Sequence, residues 1–290
     1  MGMNALFDKR INLYLYDTPD GSGKPVDVID IMDTGIKPNI GIQTTFTTAE
    51  VVYQTTIRLT NFYPAKALTE YKYFRLQAGY KDSAEWAGFG GIVWVAYKDS
   101  PSPDGVTTFM CTVANMTDVL NTKINLHAKK TDTLEGVFDK IITALKGNSG
   151  SAWTLENSLD SIPLIAPIDF IGAVKDLLVL LKQLYGFVYS FEDCKLVVYK
   201  KGGSRTKLDI VDINYISGVP SVIASGITFY APWMPQLLPG MRVRLSPKYK
   251  NVNFAATQVN INSVLTIQNM SIEFNTVTEQ NKMTILALNV

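Results

Sequence analysis

Val51-Val52-Tyr53-Gln54-Thr55-Thr56-Ile57-Arg58-Leu59-Thr60 is the stretch whose reading decides the fold class. Val51, Tyr53, Thr55, Ile57 and Leu59 alternate with Val52, Gln54, Thr56, Arg58 and Thr60. Successive side chains leave a pleated chain on opposite sides, so a two-residue period rich in β-branched residues predicts a half-buried strand. The pattern recurs on both sides of it. Upstream, Ile11, Leu13 and Leu15 oppose Tyr14 and Tyr16, and the turn-rich segment Thr18 to Pro25 follows. Downstream, Phe74, Leu76, Ala78 and Tyr80 form one series, Ile92, Trp94 and Ala96 a second, and Phe109, Cys111 and Val113 a third. Strands and turns at this density predict a sandwich or small barrel.

Near residue 123 the period changes. Leu134, Val137, Phe138, Ile141, Ile142 and Leu145 make a helical stripe, with Asp132 as the expected N-cap, Glu135 three residues on, and Gly147 as the expected terminating glycine. A second helix is expected after Asp169, with Phe170, Val174, Leu177, Leu178, Leu181 and Tyr185 on one side and Gly186 at its end. Val179 and Leu180 widen that stripe, which predicts a largely buried helix. Phe187 to Phe191 and Leu196 to Tyr199 read as two strands around a turn at Glu192 to Lys195. The run Lys200 to Arg205 reads as a boundary loop. Sheet character then returns: Met241, Val243 and Leu245 alternate with Arg242 and Arg244, Val259 and Ile261 alternate with polar neighbours, and Ile272 and Phe274 follow. The expected architecture is mainly β with an α+β insert: two small β-barrel domains at 1–122 and 204–290 flank a helix-containing domain at 123–203.

Composition narrows the function classes. The 290 residues are 47% hydrophobic, enough for substantial cores, and 27 basic against 26 acidic residues leave a net charge of +1. That balance argues against a protein living on the phosphate backbone. No apolar run reaches the length of about 20 residues that a membrane helix needs, and Met1 to Arg10 lacks the apolar core of a secretory signal. No stable membrane insertion is expected. Cys111 and Cys194 are too few and too far apart for a disulfide framework, which fits assembly in a reducing cytoplasm.

Chemistry-bearing motifs are scarce. His127 is the single histidine and lies beside Lys129 and Lys130 in an expected connector. One histidine with two distant cysteines does not supply a zinc site, and Cys111, at an alternating strand position, and Cys194, in an expected turn, read as structural rather than as nucleophiles. Gly21-Ser22-Gly23-Lys24 lacks the first glycine of a phosphate loop, and Pro25 stands where Ser or Thr belongs, so it reads as a turn. Gly88-Phe89-Gly90-Gly91 lacks the dinucleotide pattern and reads as a bend or close strand approach. Asp27, Asp30 and Asp33 have no calcium-loop spacing. No catalytic residue, cofactor or metal is expected, although sequence leaves open a pair of carboxylates brought together across the fold.

The apolar, three-proline stretch Phe229 to Gly240 is more informative. Proline excludes ordinary helix and central strand there. Two readings stay open: a loop covering one end of its own barrel, or a preformed subunit-contact loop presenting Tyr230, Trp233, Met234 and Leu237.

The strands at Tyr53 to Thr60, at Phe74 to Tyr80 ending in Ala78-Gly79-Tyr80, and at Gly88 to Tyr97 with Gly91-Ile92-Val93 together resemble the first barrel of tail hub proteins. That family includes the baseplate hubs of contractile-tailed phages, related late-control proteins and the hub part of secretion-system spikes. The helices at Thr131 to Leu145 and Asp169 to Tyr185, leading into Phe187-Val188-Tyr189, match the same layout. Gly218 to Ile227, continuing through Leu238-Pro239-Gly240-Met241-Arg242-Val243, is similar to the second barrel.

The resemblance implies a structural virion protein of the tail baseplate, assembled in the host cytoplasm. A homotrimer would present six quasi-equivalent barrels as a pseudo-hexamer, a symmetry adaptor between a sixfold tail tube protein and a threefold spike or needle protein. The tape-measure protein and other baseplate proteins are further implied partners, and DNA would be met only in passage through a lumen. The competing expectation is a carbohydrate-binding or adhesin-like β module using Tyr14, Tyr16, Trp86 and Trp94 as a sugar platform. A carboxylate hydrolase is the third, and it requires a cleft with two carboxyls within about 10 Å.

Overall fold

The computed structural model describes residues 9–30, 40–47, 54–80, 87–99, 105–112, 116–150, 152–192, 194–201, 203–205, 210–223, 226–232, 234, 237–246, 264–275 and 282–289. The amino-terminal strands are β1 (Lys9–Tyr16), β2 (Asp27–Asp30), β3 (Ile40–Thr47), β4 (Gln54–Thr60), β5 (Tyr73–Tyr80), β6 (Ala87–Asp99) and β7 (Val106–Thr112). The middle of the chain forms α1 (Met116–Asn121), β8 (Lys123–Ala128), α2 (Leu134–Ser149), β9 (Thr154–Asn157), β10 (Ile168–Ala173), α3 (Val174–Tyr185), β11 (Phe187–Glu192) and β12 (Lys195–Lys200). After them come β13 (Ile210–Ile213), β14 (Ser217–Ile223), β15 (Gly226–Pro232), β16 (Arg242–Leu245), β17 (Leu265–Asn275) and β18 (Lys282–Asn289). The fold is mainly β, with two curled, barrel-like lobes and an α+β insert between them in sequence.

One hydrogen-bonded path runs β14-β15-β18-β17-β3-β4-β7-β6-β5-β1-β2, and β13 and β16 branch from it at β17. The two lobes meet on β17. Its first residues pair with β16 (Val243 with Leu265), and beyond a bulge between Ile267 and Asn269 the same strand pairs with β3, from Asn269–Thr47 to Asn275–Gly41. An extra residue on one strand sharpens its local twist. Across this bulge β17 keeps its pairing with β18 and exchanges its other neighbour, from β16 to β3.

Alternation sets which faces are buried. Ile57 and Leu59 on β4, Leu13 and Leu15 on β1, Phe74 on β5 and Phe109 on β7 lie at the bottom of a single apolar cluster with Ile227, Phe229, Ile267 and Ile285 from the second lobe. Burying each such side chain contributes about 1.5–3 kcal/mol. Gly90 permits a close strand approach, since a Cβ there would stand 2.9 Å from the Phe74 carbonyl. A polar pin holds the segment between β4 and β5: the Tyr71 hydroxyl donates to Asp27 Oδ2 and accepts from the Lys66 amide. Burial, with Asp27 beside it, pushes that hydroxyl up to about 12, so it remains a donor.

The insert has its own cluster, with Phe138 edge-on to Phe187 at 5.3 Å and Trp153 fully buried. Several sequence expectations change here. The N-cap of α2 is Thr133, whose side chain accepts from the Gly136 amide, while Asp132 accepts from the Lys129 amide in the preceding turn. The left-handed terminating glycine is Gly150 rather than Gly147, one turn later than the apolar stripe implied. Asp169 and Phe170 belong to β10, antiparallel to β8, and α3 starts only at Val174. Gly186 does end α3, at φ 66°. Leu180 and Leu184 are exposed, so α3 buries one face and not its whole girth. His127 lies on β8 rather than in a connector.

In β6, a bulge between Val93 and Val95 overturns the expected shared face of Ile92, Trp94 and Ala96. Val93 turns into the core, Ala96 packs against it, and Trp94 and Val95 both point outward. Strand β15 runs on through Pro232 because its pairing with β14 already ends at Tyr230. Past that point a missing N–H leaves no partner unsatisfied. The Val259 and Ile261 alternation lies outside the described residues.

Candidate assembly surfaces

Among the described residues no group of three or more His, Cys, Asp or Glu is placed to hold a metal ion. His127 is exposed, and its Nδ1 meets Asp169 Oδ1 across the β8–β10 ladder. Cys111 is buried in the lobe core, where loss of hydration pushes its thiol up, away from the reactive thiolate. Cys194 sits at φ 59° in the tight β11–β12 turn. Gly21 and Gly23 take positive φ in the β1–β2 connection, as a turn requires.

Two carboxylates do come together, at Glu156 on β9 and Glu192 at the end of β11, with the Arg205 guanidinium between them. Arg205 Nε and Nη2 donate to Glu156 at 2.6 and 2.9 Å, and Nη1 and Nη2 donate to Glu192, both at 2.7 Å. The arginine side chain is 4% exposed. Burial alone would push the Glu156 carboxyl up; the Arg205 hydrogen bonds and charge outweigh it and hold the group below its ordinary 4.5. The Arg205 amide donates to the Gly240 carbonyl of the second lobe at 2.7 Å, so this buried knot ties the insert to that lobe. The sequence reading of Lys200 to Arg205 as a boundary loop missed it, because the carboxylates lie 49 and 13 residues away.

The proline-rich stretch divides. Leu237 is 1% exposed and is a member of the chain's own core. Met234 is half-buried, packs on that core, and its amide faces Met283 Sδ at 2.9 Å. Tyr230 points outward on β15 at 44% exposure. Trp233 lies outside the described residues. Leu237 and Met234 thus cover the second lobe from within, and Tyr230 is the described side chain of this stretch that stands in solvent.

A further stretch of apolar exposure lies on the first lobe. On the outer face of the first lobe, Val95 and Met110 are register partners, Tyr97 follows on the same face of β6, and the bulged Trp94 is 71% exposed beside them. A contiguous exposed apolar patch of this kind marks a contact surface more often than a free one. At the two ends of the sheet path, β2 and β14 each have one bonded neighbour among the described residues, with Val28 and Val219 exposed on them. Such edges carry unpaired backbone donors and acceptors. Of the proposed sugar platform, Trp94 is exposed as that reading expects, Tyr16 is buried under Arg75, Tyr14 is half-buried, and Trp86 lies outside the described residues.

The arrangement of lobes and insert recurs in solved structures. A tail protein from Neisseria meningitidis superposes with a TM-score of 0.62 at 9% identity, covering 98% of this chain and 97% of that one. The chain has the phage tail-protein fold. The 43 kDa tail protein of prophage MuSo2 from Shewanella oneidensis matches with a TM-score of 0.58 at 9% identity, over 97% of this chain and 98% of that one. An Escherichia coli type VI secretion component, described as structurally similar to the T4 tail proteins gp27 and gp5, matches at 0.59 and 11% identity, over 96% of this chain and 76% of that one. No protein-family model and no curated protein matches the sequence. The tail-protein fold is therefore carried here by topology, with little of the sequence in common.

Proposed function

We propose that this chain is a structural, non-catalytic hub at a tail tip: a homotrimer that presents six barrel-like lobes, joining a hexameric tube to a trimeric spike. The observation that carries the reading is the sheet path. Two lobes of similar construction are locked together through β17, and among the described residues the path ends in two unlike strands with one bonded neighbour each, β2 on one lobe and β14 on the other. A contact between unlike surfaces of neighbouring copies closes into a ring when the rotation between them fits. The exposed Trp94, Val95, Tyr97 and Met110 face supplies apolar area for a tube, spike or other baseplate partner. Resident in a virion tail, the protein would meet DNA only as it passes through the lumen, a role suited to a chain of net charge +1.

Light scattering on a sizing column tests the ring. The expected species is about three times the 32.1 kDa chain mass, and Val219→Lys on the β14 edge should shift it toward monomer by unfavourable charge at the edge. A protein that stays monomeric up to its solubility limit, with a tube-like partner present or absent, would sink the trimer.

A further inference from the structure

At the junction of insert and second lobe lies a groove of about 470 Å³, in the size range of sites that seat a few side chains. Its floor is apolar: Phe187 is buried, and Leu159, Ile162 and Tyr185 are half-buried members or neighbours of the insert core. Its rim is cationic. Lys200, Lys201 and Arg242 are all exposed, and among the described residues none of the three is ion-paired; Asp160 is the one carboxylate lining the groove.

The groove is built before anything enters it. The Ser158 amide donates to the Val198 carbonyl at 3.0 Å and its hydroxyl to the Ser204 carbonyl at 3.2 Å, while the Arg205 knot fixes the wall just beyond. Two hydroxyls are ready to donate. Ser204 Oγ is buried without a partner among the described residues, and the Tyr185 oxygen accepts from the Ile165 amide, leaving its own proton for a ligand. The carboxyl end of α3 opens on the same groove at Gly186, and its partial negative charge disfavours an anion there. Lys200 stands across the β11–β12 ladder from Phe187, so the two lysines adjoin this helix end and, with Arg242, supply the positive charge that an incoming carboxylate needs.

We propose that this groove receives an acidic, apolar-anchored segment of a partner protein, with an aliphatic or aromatic side chain on the floor and Asp or Glu on the rim. Charge complementarity selects the sign of the partner, and the apolar floor selects a peptide. A nucleic-acid strand needs cations repeated along its backbone, and three around one groove do not form such a track. The inference stands independently of the ring, since every residue it uses lies within one chain.

Fluorescence anisotropy of the full chain with a labelled peptide of alternating Glu and Leu is the test. Saturable binding is expected, weakened about ten-fold or more in the Lys200→Glu/Arg242→Glu variant and weakened by added salt, as for contacts made through rim charge. Ile162→Ser should weaken it as well by removing floor area, and circular dichroism checks that both variants stay folded. Equal binding of a Lys–Leu peptide, unchanged binding by the charge variant, or no saturation with the acidic peptide would each overturn the proposal. So would tight binding of an oligothymidine in place of the peptide.

Discussion

The barrel-like lobes close over one apolar cluster that draws residues from both ends of the chain, from Leu13 to Ala287, whereas the insert closes over a separate cluster running only from Val119 to Val198. The lobes depend on strands that are far apart in sequence. The insert is assembled from neighbours. Around Arg205 the two regions meet through the Arg205 amide on the Gly240 carbonyl and through the buried Tyr199 ring, which lies against Gly240, while the guanidinium holds two carboxylates of the insert. Each region is thus stabilised internally by burial, and Arg205 is a joint between them, its side chain held by the insert and its amide bonded to the second lobe.

Phe138→Ala should break the insert and leave the lobes. Its loss is expected to cost about 3–5 kcal/mol, the range for emptying a buried aromatic site. Hydrogen exchange should then speed in α2 and α3 while β4 and β7 keep their protection. Equal acceleration in both regions would mean that they unfold as one unit.

Arg205→Met addresses the joint. It leaves Glu156 and Glu192 without their cation, at an expected cost of about 3 kcal/mol in urea unfolding, toward the lower end for a broken buried pair because Glu156 keeps contact with water. Adding Glu156→Gln and Glu192→Gln should return much of that loss. The same knot makes stability pH-dependent. The Glu156 carboxyl is depressed in the folded protein, so the unfolded chain binds its proton more readily. Its contribution is complete above 4.5 and fades as the pH falls through the lower folded value. Glu156→Gln should therefore flatten the acid limb of a stability–pH curve.

Smaller effects separate the cap from its neighbour. Thr133→Ala should destabilise by about 1 kcal/mol as the loss of an N-cap, and Asp132→Ala by less, since Asp132 holds only the preceding turn. His127→Ala should shift stability by no more than about 0.5 kcal/mol, because the pair with Asp169 is exposed.

The alternating strands were legible because burial on one face imposes a two-residue period, as Thr55, Ile57 and Leu59 show. The apolar stripe of α2 was legible for the same reason at helical period. What escaped notice is set by partners distant in sequence. The bulge that turns Trp94 outward depends on the register against β7, and the burial of Arg205 depends on two glutamates brought in by β9 and β11. Asp169 and Phe170 look helical beside a leucine-rich run, yet pairing with His127 and Leu126 of β8 holds them extended. Of the apolar loop, sequence identified the residues but not their directions: Leu237 turns inward and Tyr230 outward.

The pairing of β3 with β17 also sets a timetable for biosynthesis. Residues 41–47 wait for residues 269–275 before that ladder can form, and closing so long a loop is slow as well as late. The insert, complete within a much shorter span, can fold while the rest is still emerging from the ribosome. Until β17 arrives, β3 presents an unfinished sheet edge beside β4. A nascent chain of this design has its greatest need of a chaperone during the last stage of translation.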